Sequence, residues 1–332
     1  MLVLGVETSC DDTAAAVVAD GRQIVSSLVS SQDAIHSSFG GVVPELASRQ
    51  HIRQVLPIIE GALQRAGVSL KEIEGIAVTY GPGLVGSLLV GLSTVKGIAY
   101  RWGIPYVGVN HLEAHLLAIF LEREVPFPYL ALLASGGHTL LYVVKTFGEY
   151  QYLGGTRDDA AGEAYDKAAR LMDLGYPGGR VIDLLAQKGN PHAIRFPRAR
   201  LKSGLYDFSF SGLKTSLWHY LQTAGKEKWD TIKADIAASF QEAVVDMLIG
   251  PTLRAAGDYQ ISRIVLAGGV SANSRLRQRM TEIAQQEGLE LYYSALALCT
   301  DNAAMIALTG SYKLRQGHRD DFTLNADADL TL

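Results

Sequence analysis

The sequence predicts an α/β protein built on a duplicated strand meander, and three observations carry that expectation. Short apolar runs bounded by polar or glycine turns occur twice in the same order, strands alternate with longer helical patterns around them, and the composition is that of a globular chain. At 332 residues, 48% hydrophobic and 19% charged, the chain is long enough for two domains with substantial cores.

Leu2 to Glu7 reads as a buried strand that enters the polar turn Thr8-Ser9-Cys10-Asp11-Asp12-Thr13. Ala14 to Ala19 then meets the tight-turn pair Asp20-Gly21, and a third run follows near Ile24 to Val29. The same order returns at Tyr129 to Ala134, Ser135-Gly136-Gly137-His138-Thr139, Leu140 to Val144, the turn Phe147-Gly148-Glu149, and Tyr150 to Leu153. Two such turns suit phosphate, because backbone amides approach an anion only where side chains are short. Between the meanders lie a strand at Gly75 to Tyr80, a helix from Leu84 to Tyr100, a strand at Tyr106 to Val109 and a helix starting near His111. Further on, the strand Arg263 to Ala267 runs through Gly268-Gly269-Val270-Ser271-Ala272-Asn273 into a helix from Ser274 to about Gln286. A glycine turn at a helix start favours a nucleotide's phosphate or ribose. Gly175-Tyr176-Pro177-Gly178-Gly179 is a fourth flexible turn, and Asp301 offers an acceptor at a strand end before the last helix.

Asn110-His111-Leu112-Glu113-Ala114-His115 sets two histidines four positions apart. On a helix they share a face and can converge on one metal ion; otherwise they form a surface pair or a satisfied core pair. Glu113 lies roughly 200° round the helix from His111, so the zinc-peptidase pattern, in which a glutamate serves the metal-bound water, is not met. Cys10 and Cys299 are the only cysteines, which fits a reduced cytosolic protein better than a disulfide framework. Cys299, beside Leu298, is expected in the core rather than at a metal. No charged segment followed by an apolar one opens the chain, and no apolar stretch reaches 18 residues. A cytoplasmic protein with no membrane contact is expected. The net charge of −4 requires a polyanion to meet a local basic patch or another subunit.

Several of these segments together resemble the tRNA adenosine threonylcarbamoyltransferases, the TsaD family once mislabelled as glycoproteases. The resemblance is carried by Asn110 to His115, Ala134-Ser135-Gly136-Gly137-His138-Thr139, Asp158 to Lys167, Tyr176 to Gly179, Asp207 to Thr215 and Gly268 to Asn273. It is colinear from Glu7-Thr8-Ser9-Cys10-Asp11-Asp12-Thr13 to Asp301-Asn302-Ala303, nearly the whole chain. It implies a duplicated ribonuclease-H-like fold of the actin, hexokinase and Hsp70 superfamily, with an active-site cleft between its halves. On that pattern residues 1–110 form the first domain, rejoined by the C-terminal helix. Residues 111–320 form the second, with helical insertions, and 321–332 a tail.

The implied reaction transfers a threonylcarbamoyl group from threonylcarbamoyl-AMP to the exocyclic amine of the adenosine 3′ of the anticodon, position 37, in tRNAs reading codons that begin with A. The implied metal ligands are His111, His115 and Asp301, holding one divalent ion, iron in the first place or zinc. Ala134, Ser135, Gly136, Gly137, His138, Asp166, Gly179, Asp183 and Asn273 are implied at the nucleotide and acyl group, and Asp11 orients or deprotonates the attacking amine. Because the donor is an activated mixed anhydride, the protein must mainly position a weak amine and stabilise the leaving phosphate. Asp166 and Asp183 suit ribose hydroxyls, or else serve as helix caps. The implied partners are tRNA, an inert paralogue of the enzyme (TsaB-like) and a small P-loop ATPase (TsaE-like), with a homodimer as another assembly.

For tRNA, Arg195, Arg198, Arg200 and Lys202 put four basic residues in eight positions without an acid, either a phosphate track or a solvated loop. Arg49, His51 and Arg53 are weaker candidates. Two other classes share the meander: an ATP-dependent kinase of the superfamily, which has no use for the histidine pair, and a non-catalytic scaffold subunit, which lacks it.

Overall fold

A computed structural model of the protein describes residues 1–199, 201 and 203–332. In chain order its strands are β1 (Leu2–Glu7), β2 (Asp12–Ala19), β3 (Gln23–Ser31), β4 (Gly75–Gly81), β5 (Tyr106–Asn110), β6 (Tyr129–Ala134), β7 (Thr139–Thr146), β8 (Glu149–Gly155), β9 (Arg263–Ala267) and β10 (Glu290–Tyr293). Its helices are α1 (Asp33–His36), α2 (Pro44–Ala66), α3 (Val85–Trp102), α4 (His111–Leu117), α5 (Ala161–Leu171), α6 (Gly178–Ala186), α7 (Ser211–Ala224), α8 (Lys226–Thr231), α9 (Lys233–Tyr259), α10 (Ser274–Glu287), α11 (Leu296–Cys299) and α12 (Ala303–Arg315).

The chain divides into two compact units, one of Met1–Glu124 with Ser294–Leu332 and one of Val125–Tyr293. Each holds a five-stranded mixed sheet, ordered β3-β2-β1-β4-β5 in the first and β10-β9-β6-β7-β8 in the second. In both, three antiparallel strands form a meander and two parallel strands extend it from the meander's first strand. The duplication read from the apolar runs is therefore a duplication of topology. Asp20 and Gly21, both at positive φ (52° and 72°), make the tight turn between β2 and β3.

The first boundary falls after Glu124 rather than at residue 110, because α4 packs on β5 and α12. The end of the chain also stays with this unit: Asp327 N–H donates to Tyr80 O at 2.8 Å, and Lys96 Nζ to Phe322 O at 2.9 Å. On one side of the first sheet, α12 lies flush with the strands. A Cβ at Gly5 would come within 2.1 Å of Ala303 O, and one at Gly310 within 2.2 Å of the Ala77 Cβ, so this approach needs glycine at both positions. That packing fixes where α12 begins, and with it the residues just before it. On α2 and α3, the αL glycines Gly67 and Gly103 end the helices.

In the second unit, α7 starts at the apolar residue Phe210, which offers no side-chain cap of its own. Asp158 supplies one from a distance, accepting from Phe210 N (2.7 Å), Ser211 N (3.2 Å), Ser211 Oγ (2.8 Å) and Ser209 Oγ (2.5 Å). Burial opposes its ionisation, but these donors hold the carboxyl below its usual value. A depressed carboxyl stabilises the fold above its unfolded pKa, and loses that contribution as pH falls through the folded one. Asp158→Ala is therefore expected to cost about 1 kcal/mol, lowering the melting midpoint by about 2–4 °C at neutral pH. The gap between variant and parent should stay constant down to about pH 5 and narrow below about pH 4. Melting curves across that range check it, and a gap that does not narrow would show that the charge plays no part.

Candidate metal centre and nucleotide cavity

The metal candidates come together in the first unit. β5 ends at Asn110, whose side-chain oxygen caps α4 by accepting from Leu112 N (2.8 Å) and Glu113 N (3.3 Å). His111 and His115 follow on one face of this buried helix, with ring centroids 4.6 Å apart. Asp301 is held by the start of α12, immediately before Asn302, whose oxygen caps that helix through Met305 N (3.0 Å). It stands at a helix entrance after α11 rather than at a strand end. Its Oδ1 lies 3.1 Å from His115 Nε2 and 3.5 Å from His111 Nε2.

Do these groups fit an ion? Donors about 2.0–2.2 Å from one metal stand roughly 3.0–3.5 Å from each other, which is the spacing seen between Asp301 and both imidazoles. The ligand atoms of all three residues lie within 4.8 Å of one another. Glu7, fully buried at the end of β1, takes His111 Nδ1 at 2.9 Å and Thr79 Oγ1 at 2.7 Å, and also accepts from Ser9 N–H. This carboxylate fixes the imidazole so that Nε2 faces Asp301, as outer partners of metal-bound histidines do. Burial works against charge on His111, yet Asp301 and Glu7 push its pKa up to about 9. Burial lowers His115 instead. The site thus favours one added positive charge between two imidazoles and a carboxylate, and the residues fit a divalent ion. Glu113 turns away and pairs with Lys313 at 2.9 Å. Cys299 is 2% exposed, its thiol directed to Ser294 O and Ala295 O, outside the ligand set.

Asp11 and Asp12 sit in the same unit, at the turn between β1 and β2. Burial raises the Asp11 carboxyl above its usual range, with Asp301 adding to the effect, and raises Asp12 to about 7. His51, a weaker tRNA candidate from sequence, is buried and holds this turn, with Nε2 donating to Cys10 O (2.9 Å) and Nδ1 facing Thr13 Oγ1 (2.8 Å). It cannot reach a phosphate from there.

The nucleotide candidates lie in the second unit. Ala134 ends β6, and Ser135 to His138 close the hairpin, with Ser135 N bonded to His138 O at 2.7 Å. Two glycines back this turn at close range: a Cβ at Gly162 or at Gly268 would come within 2.5 Å of Ser135 O or Ala134 O respectively. Gly179 and Asp183 are one turn apart on α6, and Asp166 accepts from Gly178 N at 2.7 Å. Asp183 reaches α10, accepting from Ser274 N (3.2 Å) and Ser274 Oγ (2.8 Å). Asn273 caps α10 through Leu276 N at 2.9 Å and donates to Gln241 at 2.7 Å.

Ser274 and Gln241 both line a cavity of about 260 Å³, together with Gln187, Pro191, Glu242 and Arg275. Glu242 is 1% exposed and held below its usual pKa, against its burial, by Arg275 (2.6 Å) and by Arg279. Asp183 and Asn273 bond to its lining residues Ser274 and Gln241, while Asp166, on α5, caps the start of α6 beside Gly179. Glu7, Gln241 and Glu242 stand within these clusters, and the sequence motifs give none of them a role. The signal for the last two is a polar pair inside the uniformly buried run Ile236 to Val245 of α9.

The family model described as tRNA N6-adenosine threonylcarbamoyltransferase (TsaD) matches residues 23–308. The chain belongs to this family. It is 53% identical over 326 residues to the tRNA N6-adenosine threonylcarbamoyltransferase of Geotalea uraniireducens (strain Rf4), covering 98% of this chain and 95% of that one. It is 50% identical over 333 residues to that of Clostridioides difficile (strain 630), covering 100% and 98%. Among solved structures, full-length HypF in its phosphate- and nucleotide-bound form superposes with TM-score 0.62 at 14% identity, covering 95% of this chain and 55% of that one. The Acidaminococcus fermentans (R)-2-hydroxyglutaryl-CoA dehydratase component A gives 0.58 at 18%, covering 95% and 99%. These structures share the fold alone, the duplicated actin- and hexokinase-like one expected from the family resemblance. Among the described residues no helix is long and apolar enough to cross a membrane.

Of the basic run, Arg195 is exposed. Arg198 is half-buried and paired with Asp246 (2.8 Å) and Phe196 O (2.7 Å), partners that compete with a phosphate for it. Arg200 and Lys202 lie outside the described residues.

Proposed function

We infer that this chain transfers a threonylcarbamoyl group to N6 of adenosine 37 in tRNAs reading codons that begin with A, taking the group from threonylcarbamoyl-AMP. The observation that carries the reading is the convergence of His111, His115 and Asp301 in a chain that belongs to this family over nearly its full length. A kinase of the same fold has no need of such a set, and a scaffold subunit would not retain it.

The groups around the cavity take the AMP half: Asp183 on the ribose side, Asn273 by holding the residue that faces the base, and the amides of Ser135 to His138 with the acyl phosphate. His111, His115 and Asp301 hold a divalent ion, iron or zinc, which when bound supplies positive charge and open positions for oxygen ligands. Glu7 keeps His111 in the tautomer that presents Nε2. In the reaction the adenosine N6 forms a bond to the carbamoyl carbon, and the bond from that carbon to the phosphate oxygen breaks. AMP leaves, and the amine proton passes to Asp11.

Ile52 and Leu56, one turn apart on α2, and Val85 and Leu89, one turn apart on α3, are exposed apolar residues on two helices that pack together. They support docking of the inert paralogue subunit; the small ATPase rests on the family resemblance alone. A transfer assay with threonylcarbamoyl-AMP, unmodified tRNA and the reconstituted complex tests the function. Release of ATP-derived phosphate onto a small acceptor, with no modified adenosine, would favour the kinase reading.

The tRNA track narrows to Arg195, Arg200 and Lys202. Neutralising them is expected to weaken binding of all cognate tRNAs and to lower the slope of log affinity against log salt by about one unit for each phosphate no longer neutralised. Arg198→Ala is expected to act on the fold instead. Unchanged affinity and slope would place the tRNA footprint on the partner subunits.

A further inference from the structure

Gln241 carries a hydrogen-bond donor that the fold does not use. It is 3% exposed on α9 and lines the 260 Å³ cavity. The orientation of its amide follows from its neighbours. Leu276 N–H can only donate, so the Asn273 oxygen must face it (2.9 Å). Asn273 Nδ2 then has to donate, and Gln241 Oε1 accepts at 2.7 Å. Gln241 Nε2 is left with two hydrogens, and no acceptor among the described residues takes either. Its chain neighbour Glu242, a buried carboxylate, is already committed to Arg275 and Arg279. Nε2 opens onto the space of the cavity, where an acceptor on a ligand can take it.

The cavity walls around this donor mix Ala186, Pro191 and Ala238 with the polar Gln187, Ser274 and Arg275, a lining that suits a flat group with a polar edge. Adenine is such a group. Its edge offers three ring-nitrogen acceptors and one amino donor, and Gln241, whose own oxygen is occupied by Asn273, can meet only the acceptors. We propose that Gln241 is a base-reading residue that donates from Nε2 to a ring nitrogen of the adenine of the acyl adenylate. This rests on the adenylate reading above. It adds the residue that recognises the base, and it makes Asn273 a relay that ties that recognition to the cap of α10.

The test measures binding of AMP and of its 1-deaza, 3-deaza and 7-deaza analogues by calorimetry, to the parent chain and to two variants. Gln241→Glu keeps an oxygen for Asn273 but removes the donor. Gln241→Met removes both without adding charge, so a folded variant remains if the buried carboxylate is not tolerated. For the parent, one deaza analogue is expected to bind about three- to tenfold more weakly than AMP, the others within about twofold. In either variant AMP should weaken by a similar factor, and that one analogue should then bind as AMP does. Deaza analogues all binding the parent like AMP, or a deaza penalty that persists in the variants, would overturn the proposal while leaving the adenylate reading intact. No AMP binding by the parent would overturn both.

Discussion

A chain carrying His111→Gln and His115→Ala is expected to retain less than about a tenth of the parent's metal and to lose transfer by about a thousandfold, since a bound cation contributes several kcal/mol of transition-state charge stabilisation. The glutamine is chosen because His111 is the partner of the buried Glu7, and a bare methyl there would strand a carboxylate with only Thr79 and Ser9. His115 can be truncated more simply: among the described residues its Nδ1 has no partner and its Nε2 faces Asp301. Elemental analysis of the purified chain, with circular dichroism to confirm folding, is the direct measurement. Glu7→Gln should give an intermediate result, with metal affinity lowered about 10- to 100-fold, as for other outer-shell partners. Full metal occupancy in the double variant would remove these histidines from the ligand set.

The contrast between these residues shows what a sequence of this kind discloses. Alternating strands, glycine turns and the Asp20-Gly21 pair are local signals, set by side-chain periodicity and backbone freedom within a few residues. They located the strands of both meanders to within about two residues at each end. The i, i+4 spacing of His111 and His115 is local too. Asp301 became a ligand candidate only through the family resemblance, because its place beside them depends on α12 lying against β1. That packing rests on glycines far apart in the chain. Glu7 and Gln241 act through partners about a hundred and about thirty residues away, and no spacing rule reaches so far. Arg198 shows the reverse case. Its own segment contains no acid, but Asp246 on α9 supplies one across the fold.

Asp11→Asn is expected to lower the turnover of the saturated complex by about 10²- to 10⁴-fold while AMP affinity stays within a few-fold, because the substitution keeps the side chain's shape and removes its ability to take a proton. The residues lining the nucleotide cavity all belong to the second unit and Asp11 to the first, so ground-state binding of AMP has no reason to change. Chemistry has reason to change. Adenosine N6 is a weak nucleophile that must shed a proton as it bonds to the carbamoyl carbon, and burial has lifted the Asp11 carboxyl above its usual range, making it a stronger base. Asp12, next in sequence and lifted to about 7 by burial and by Asp301, is the natural competitor for the role. The two are separable by position: Asp12 starts β2 and pairs in register with Ser31, whereas Asp11 precedes the strand, in the turn after β1. Single-turnover transfer by Asp11→Asn and Asp12→Asn, each with saturating tRNA and acyl adenylate, decides between them. A large loss in the first alone supports the assignment. Unchanged turnover there, with the loss appearing in Asp12→Asn, would move the base to Asp12.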